Sequence, residues 1–151
     1  MSTATLQATA STDEAEILAL IDSMTEAVYR KDAPGFAAEF AGDAAICNLA
    51  PPLVHRGVDL AEKQAWFDSW ATPIEIEARD FTVSASGDVA FAHGYMQMSG
   101  RKHGAEHGVN FWMRETLGLE RKDGAWRIVH EHTSVPFYMD GSLRAAFDLE
   151  P

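Results

Sequence analysis

A chain of 151 residues, 46% hydrophobic and 23% charged, fits one soluble domain, because folding at this length buries roughly 70% of the unfolded chain's surface and needs no second core. Twenty-three acidic residues against twelve basic ones give a formal charge of −11, which repels phosphate backbones and argues against a nucleic-acid partner. No apolar run approaches the ~20 residues that cross a bilayer, so no membrane partner is expected. The lone Cys47 leaves no internal disulfide and no thiolate metal cluster.

Residues 1–12 are rich in Ala, Ser and Thr and lack the basic start and apolar run of a secretory signal, so they read as a flexible leader on a cytoplasmic protein whose single domain spans 13–151. Ser11 stands three residues before Glu14, the capping-box spacing, ahead of Ile17, Leu20, Ile21, Met24 and Val28 at helical intervals. This predicts a helix from about Asp13 to Arg30. A break at Lys31 is followed by a second short helix capped by Asp32, with Pro34 in its first turn.

A short strand from Asp43 to Leu49 is stopped by Pro51-Pro52, whose rings cannot continue a ladder. A third helix follows from about Asp59 to Trp70, with Trp66, Phe67 and Trp70 on one side. Four strands then alternate, over 74–85, 88–99, 109–121 and 125–135, with a further short helix around 142–147. Helices first and an antiparallel meander last predict an α+β fold. The basic pairs Arg101-Lys102 and Arg121-Lys122 read as solvated loop charge.

Two stretches carry a family resemblance: Phe40-Ala-Gly-Asp-Ala-Ala at the first strand, and Gly124-Ala-Trp-Arg-Ile-Val-His-Glu-His-Thr-Ser-Val-Pro at the last. With the element order, they resemble the nuclear transport factor 2-like superfamily, in its SnoaL-like branch related to ketosteroid isomerases. The resemblance implies a cone-like, cystatin-type roll: a curved antiparallel sheet wrapped by N-terminal helices around a central pocket. It further implies a homodimer packed through the sheet face, but no particular reaction, since this fold hosts isomerases, cyclases, lyases and plain binding modules.

Aligned on the ketosteroid isomerase pattern, Asn48 stands where that family has its aspartate base, and Met24 stands where it has its tyrosine. An amide takes no proton at neutral pH and a thioether donates no hydrogen bond, so the steroid isomerase route is not expected. Glu115, or a neighbour within about a residue, falls near the position of that pattern's second acid.

Period-two alternation puts Trp126, Ile128, His130, His132 and Ser134 on one face of the last strand, which directs both histidines toward the cavity. Pairing Leu119 and Leu117 with Trp126 and Ile128 sets Glu115 opposite His130, Met113 opposite His132 and Arg114 opposite Glu131. A one-residue slip would instead bring Arg114 and Thr116 inward. A carboxylate beside an imidazole can make a general base, which nominates His132, His130 and Glu115 as catalytic residues; a purely structural hydrogen-bond network is the competing reading.

A Ser86-Gly87 turn would pair Asp80 with His93 and Ala78 with Tyr95, on a face that the pattern leaves open. Trp66, Trp70, Tyr95, Met113, Arg114 and Asn48 are the candidate ligand contacts, suited to a small, largely apolar organic molecule. Two imidazoles at His130 and His132, and His103 with His107 in a loop beside Glu106, fall short of a recognisable metal motif, so neither metal nor cofactor is expected. The leading function is a pocket with cofactor-free acid–base chemistry of isomerase, cyclase or lyase type; the alternative is a non-catalytic ligand-binding or dimerisation module. Apolar residues at both parities of the third-helix-following strand, Ile74 and Ile76 against Phe81 and Val83, add weight to a homodimer.

Overall fold

The computed structural model describes residues 3–151, with side chains from Thr12 onward. Three helices, α1 (Thr3–Tyr29), α2 (Ala33–Ala38) and α3 (Leu60–Asp68), accompany six strands: β1 (Phe40–Cys47), β2 (His55–Arg56), β3 (Glu75–Ser86), β4 (Val89–Gly100), β5 (Val109–Lys122) and β6 (Ala125–Ser134). The strands form one curved sheet in the order β2-β1-β6-β5-β4-β3. All neighbours are antiparallel except β1 and β6.

The local signals work as the chemistry requires. The Asp32 carboxylate accepts from Gly35 N at 2.9 Å to cap α2, with proline in the first turn, and the Asp59 carboxylate accepts from Glu62 N at 2.9 Å to cap α3. Helix α1 starts at Thr3, so Ser11 lies inside it and does not cap it. The side chains of the leader expected over 1–12 fall, but for Thr12, outside the described residues. No helix forms around 142–147: Phe137 and Ala145 make an isolated bridge there instead.

Ile17, Leu20, Ile21, Met24 and Val28 bury one stripe of α1 in a core shared with Phe67, Ile74, Leu117, Leu119, Trp126 and Ile128. Arg121 is not solvated loop charge: it lies in β5, pairs with buried Asp13 and with Glu16, and lays its guanidinium 4.5 Å from the Trp126 ring centroid. Lys102 stays exposed but stacks 5.4 Å over Trp70.

Two β-bulges decide which residues face inward. In β3 the register passes from Arg79↔Tyr95 to Thr82↔His93, so Asp80, at φ 54°, and Phe81 together oppose Gly94. Phe81 takes the space a side chain on Gly94 would need, since a Cβ there would lie 2.6 Å from the ring. Ile74, Ile76, Phe81 and Val83 therefore all belong to or pack against one core, and the reading of that strand as apolar on both faces is overturned. The pairings Asp80 with His93 and Ala78 with Tyr95 fail as well, because the turn is Gly87-Asp88, with Ser86 opposite Val89.

In β6 the register passes from Leu119↔Ile128 to Gly118↔His130, leaving Val129 as the extra residue. The preceding turn, Asp123-Gly124, has positive φ at both positions, 51° and 79°, the two-residue geometry that matches strand twist.

Candidate active site

Alternation from Trp126 and Ile128 would carry His130 and His132 inward, but the bulge at Val129 reverses the parity. Glu131 and Thr133 point inward instead, opposite Leu117 and Glu115, while His130 and His132 lie opposite Gly118 and Thr116 on the other face. The expected register is corrected along the whole strand: Arg121 and Leu119, not Leu119 and Leu117, face Trp126 and Ile128, and beyond the bulge His130 faces Gly118, Glu131 faces Leu117, His132 faces Thr116, Glu115 faces Thr133 and Arg114 faces Ser134. His130 Nδ1 donates to the Ala45 carbonyl at 2.9 Å, which fits a structural role, and His132 is exposed.

Tyr95 and Arg114 are paired on the outer face as well, where Arg114 Nε donates to Ser134 Oγ at 3.1 Å. Neither they nor the two histidines line the cavity. Of the candidates read from the sequence, Glu115, Asn48, Trp66, Trp70 and Met113 do line it. Two further residues, Glu131 and Lys63, were missed.

The cavity has a volume of about 490 Å³ and lies between the inner sheet face and the helices. Phe36, Ile46, Met96, Met98, Phe111 and Met113 give it apolar walls. Met24 and Asn48, the two positions that the sequence resemblance to ketosteroid isomerases singled out, also line it.

Glu115 and Glu131 sit on neighbouring strands and are 2% and 7% exposed. Burial pushes the Glu115 carboxyl well above its ordinary range, and the nearby Glu131 charge pushes it further. Burial likewise raises Glu131 to about 7, against an opposing pull from Lys63. Two carboxyls that repel each other in an apolar wall cannot both ionise cheaply, so burial and repulsion favour keeping a proton on one of them.

Lys63 enters from α3. Its ammonium lies 4.1 Å from the centroid of the Phe36 ring, 5.2 Å from Trp66 and 5.7 Å from Phe67. Burial lowers its pKa, while Glu131 and then Glu62 act the other way. Among the described residues no carboxylate comes within 4.0 Å of it. Glu115 Oε1 and Trp70 Nε1, both on the cavity wall, are buried without a hydrogen-bond partner.

A SnoaL-like domain model matches residues 17–138. The chain belongs to the SnoaL-like family, within the nuclear transport factor 2-like superfamily. A solved nuclear transport factor 2-like protein of unknown function from Pseudomonas putida KT2440 is 32% identical, over 93% of this chain and 98% of that one, with a TM-score of 0.81. A protein from Novosphingobium aromaticivorans provisionally described as a scytalone dehydratase is 12% identical, over 89% and 91% of the two chains, with a TM-score of 0.73. A cystatin-like-fold protein from the same organism is 20% identical, over 97% and 94%, with a TM-score of 0.69. The last two show the fold alone. A search of curated proteins returns no match.

In this SnoaL-like chain the cavity is lined by two buried carboxyls, Glu115 and Glu131, and by the half-buried Lys63, with Asp59, Glu62 and Lys102 exposed on its wall. Among the described residues no cluster of three or more His, Cys, Asp or Glu is placed to hold a metal ion. No described helix is long and apolar enough to cross a membrane.

Proposed function

We infer that this SnoaL-like protein binds a small, largely apolar organic molecule and works on it by acid–base chemistry of isomerase, cyclase or lyase type, using only its own side chains. The observation that carries this is the pair Glu115 and Glu131, buried together on the wall of one apolar cavity. Their environments push them apart in role. Glu131, pulled toward its ionised form by Lys63, is the base, and Glu115, held toward its protonated form by burial and by the Glu131 charge, serves as acid. The dehydratase description of one structural neighbour agrees with this class of chemistry, though at 12% identity the likeness is one of fold.

A non-catalytic binding module is the second reading, favoured by Met24 and Asn48 at the two positions that the resemblance to ketosteroid isomerases singled out. A homodimer through the outer sheet face fits the exposed Val89, Phe91 and Tyr95 on β4.

Proton exchange separates the two main readings. Small apolar ketones and hydroxy compounds that the protein binds are incubated with it in D2O and followed by NMR. Deuterium should enter carbon positions with wild type, fall at least about a hundredfold with Glu131→Gln, and fall similarly with Glu115→Gln. Binding without exchange for every bound compound would favour the binding module, and exchange that survives the double substitution would remove the carboxyl pair from the chemistry.

A further inference from the structure

The acid–base reading uses Lys63 only to temper Glu131, yet the fold holds it in an unusual place. A lysine whose charge lies over aromatic rings gains from the ring quadrupoles, which favour the ammonium even where water is scarce. With one proton on the carboxyl pair, the cavity interior carries one negative charge from the glutamates and one positive charge from Lys63. The interior is neutral, and its cation has no partner within ion-pair distance among the described residues.

That balance discriminates between ligands. A permanently charged carboxylate would bring an extra negative charge into apolar walls and would have to be accompanied by a proton. A neutral molecule with a weakly acidic hydroxyl enters without that cost and can lose its proton inside. The ligand's O–H bond then breaks, its electron pair stays on the ligand oxygen, and the proton forms a new O–H bond on a Glu131 carboxylate oxygen. The carboxyl pair becomes neutral and the negative charge moves to the ligand, where an ammonium is waiting; the total does not change.

We propose that Lys63 is the oxyanion anchor of this site, and that the ligand is a flat, largely apolar molecule bearing one weakly acidic hydroxyl, a phenol or an enol, which the pocket binds in ionised form. The other charged or titratable groups on the wall are placed differently. Asp59, Glu62 and Lys102 are exposed, where water and salt screen them, and His55 is half-buried in the short strand β2. The anchor was legible in the sequence as a spacing: Lys63 and Trp66 stand at i and i+3 on α3, so the aromatic side of that helix includes a cation.

The proposal rests on the acid–base pocket and deepens it by naming the ligand class. The test uses the full chain with three probes of one size: naphthalene, 2-naphthol and 2-naphthoate. Wild type at pH 7 should bind 2-naphthol at least about tenfold more tightly than naphthalene, as a charge-assisted hydrogen bond allows, and the absorption of the bound probe should be that of the ionised form. Lys63→Met should abolish the preference and return the bound probe to its neutral spectrum, and Lys63→Arg should keep most of both. Should Lys63→Met fail to fold by circular dichroism, the wild-type spectrum and Lys63→Arg still decide.

A neutral spectrum for 2-naphthol bound to wild type would overturn the anchor while leaving the pocket. Tighter binding of 2-naphthoate than of 2-naphthol would overturn the ligand class. If none of the three probes binds, the small-molecule pocket falls along with the anchor.

Discussion

Glu131→Gln should flatten the dependence of stability on pH. The native carboxyl holds its proton up to about pH 7 where an ordinary one lets go near 4.5, so between those values the folded state binds more protons than the unfolded state. Stability from this group is complete below about 4.5 and is lost as pH rises through 7. The loss should amount to about 2 to 3 kcal/mol between pH 5 and pH 8. Glutamine cannot ionise, so the variant should lack this decline, and the shift at Glu115 should relax in the same direction because part of it comes from the Glu131 charge. Urea unfolding of both proteins at pH 5, 6, 7 and 8 measures the difference. Parallel curves would mean that Glu131 titrates as a solvated carboxylate and that burial in the cavity does not raise it.

Phe67→Ala should be the most damaging single truncation in the helical layer. The side chain is fully buried, meets Phe36 edge-on at a centroid distance of 6.4 Å and stands beside Trp66 at 5.5 Å. Removing a buried phenyl ring costs about 3 to 5 kcal/mol, the transfer of its surface plus the void it leaves. Phe67→Leu, which refills most of the volume, should cost roughly 1 kcal/mol. The same ring is part of the aromatic surround of Lys63, so the leucine variant, which stays folded, should also bind the ionised 2-naphthol probe less tightly than wild type. Thermal or urea unfolding checks the first effect and probe binding the second. A loss below about 1 kcal/mol for Phe67→Ala would show that α3 is not fixed to the sheet through this ring.

What the sequence made legible follows from which interactions are local. The caps at Asp32 and Asp59, the apolar stripe of α1 and the alternation of the four long strands are short-range signals, and the elements form in the expected order, although α1 begins at Thr3, ahead of its expected start near Asp13. The resemblance at Phe40–Ala45 and at the last strand located the sheet and its pocket. The inward residues of β6 were not legible, because one extra residue at Val129 reverses the parity of everything after it and nothing in Ile-Val-His-Glu-His marks the bulge. Histidines invite a catalytic reading by their ordinary pKa, whereas Glu131 gains its unusual pKa only from burial beside Glu115. The same kind of insertion at Asp80 made β3 look apolar on both faces. Lys63 needed only the helical spacing from Trp66, and a lysine in an aromatic stripe is easily passed over as a solvated charge.

The central claim is that Glu115 and Glu131 titrate as a coupled pair whose carboxyls are raised by burial inside the cavity, and its most direct test is a 13C NMR titration of the glutamate side-chain carboxyls, with Glu131→Gln and Glu115→Gln to assign the two signals. The account predicts that both remain unchanged through the range where the exposed glutamates titrate, that the first ionisation of the pair falls near pH 7, and that Glu131→Gln lowers the midpoint of Glu115. Two carboxyls that ionise together near 4.5, unaffected by each other's substitution, would contradict it.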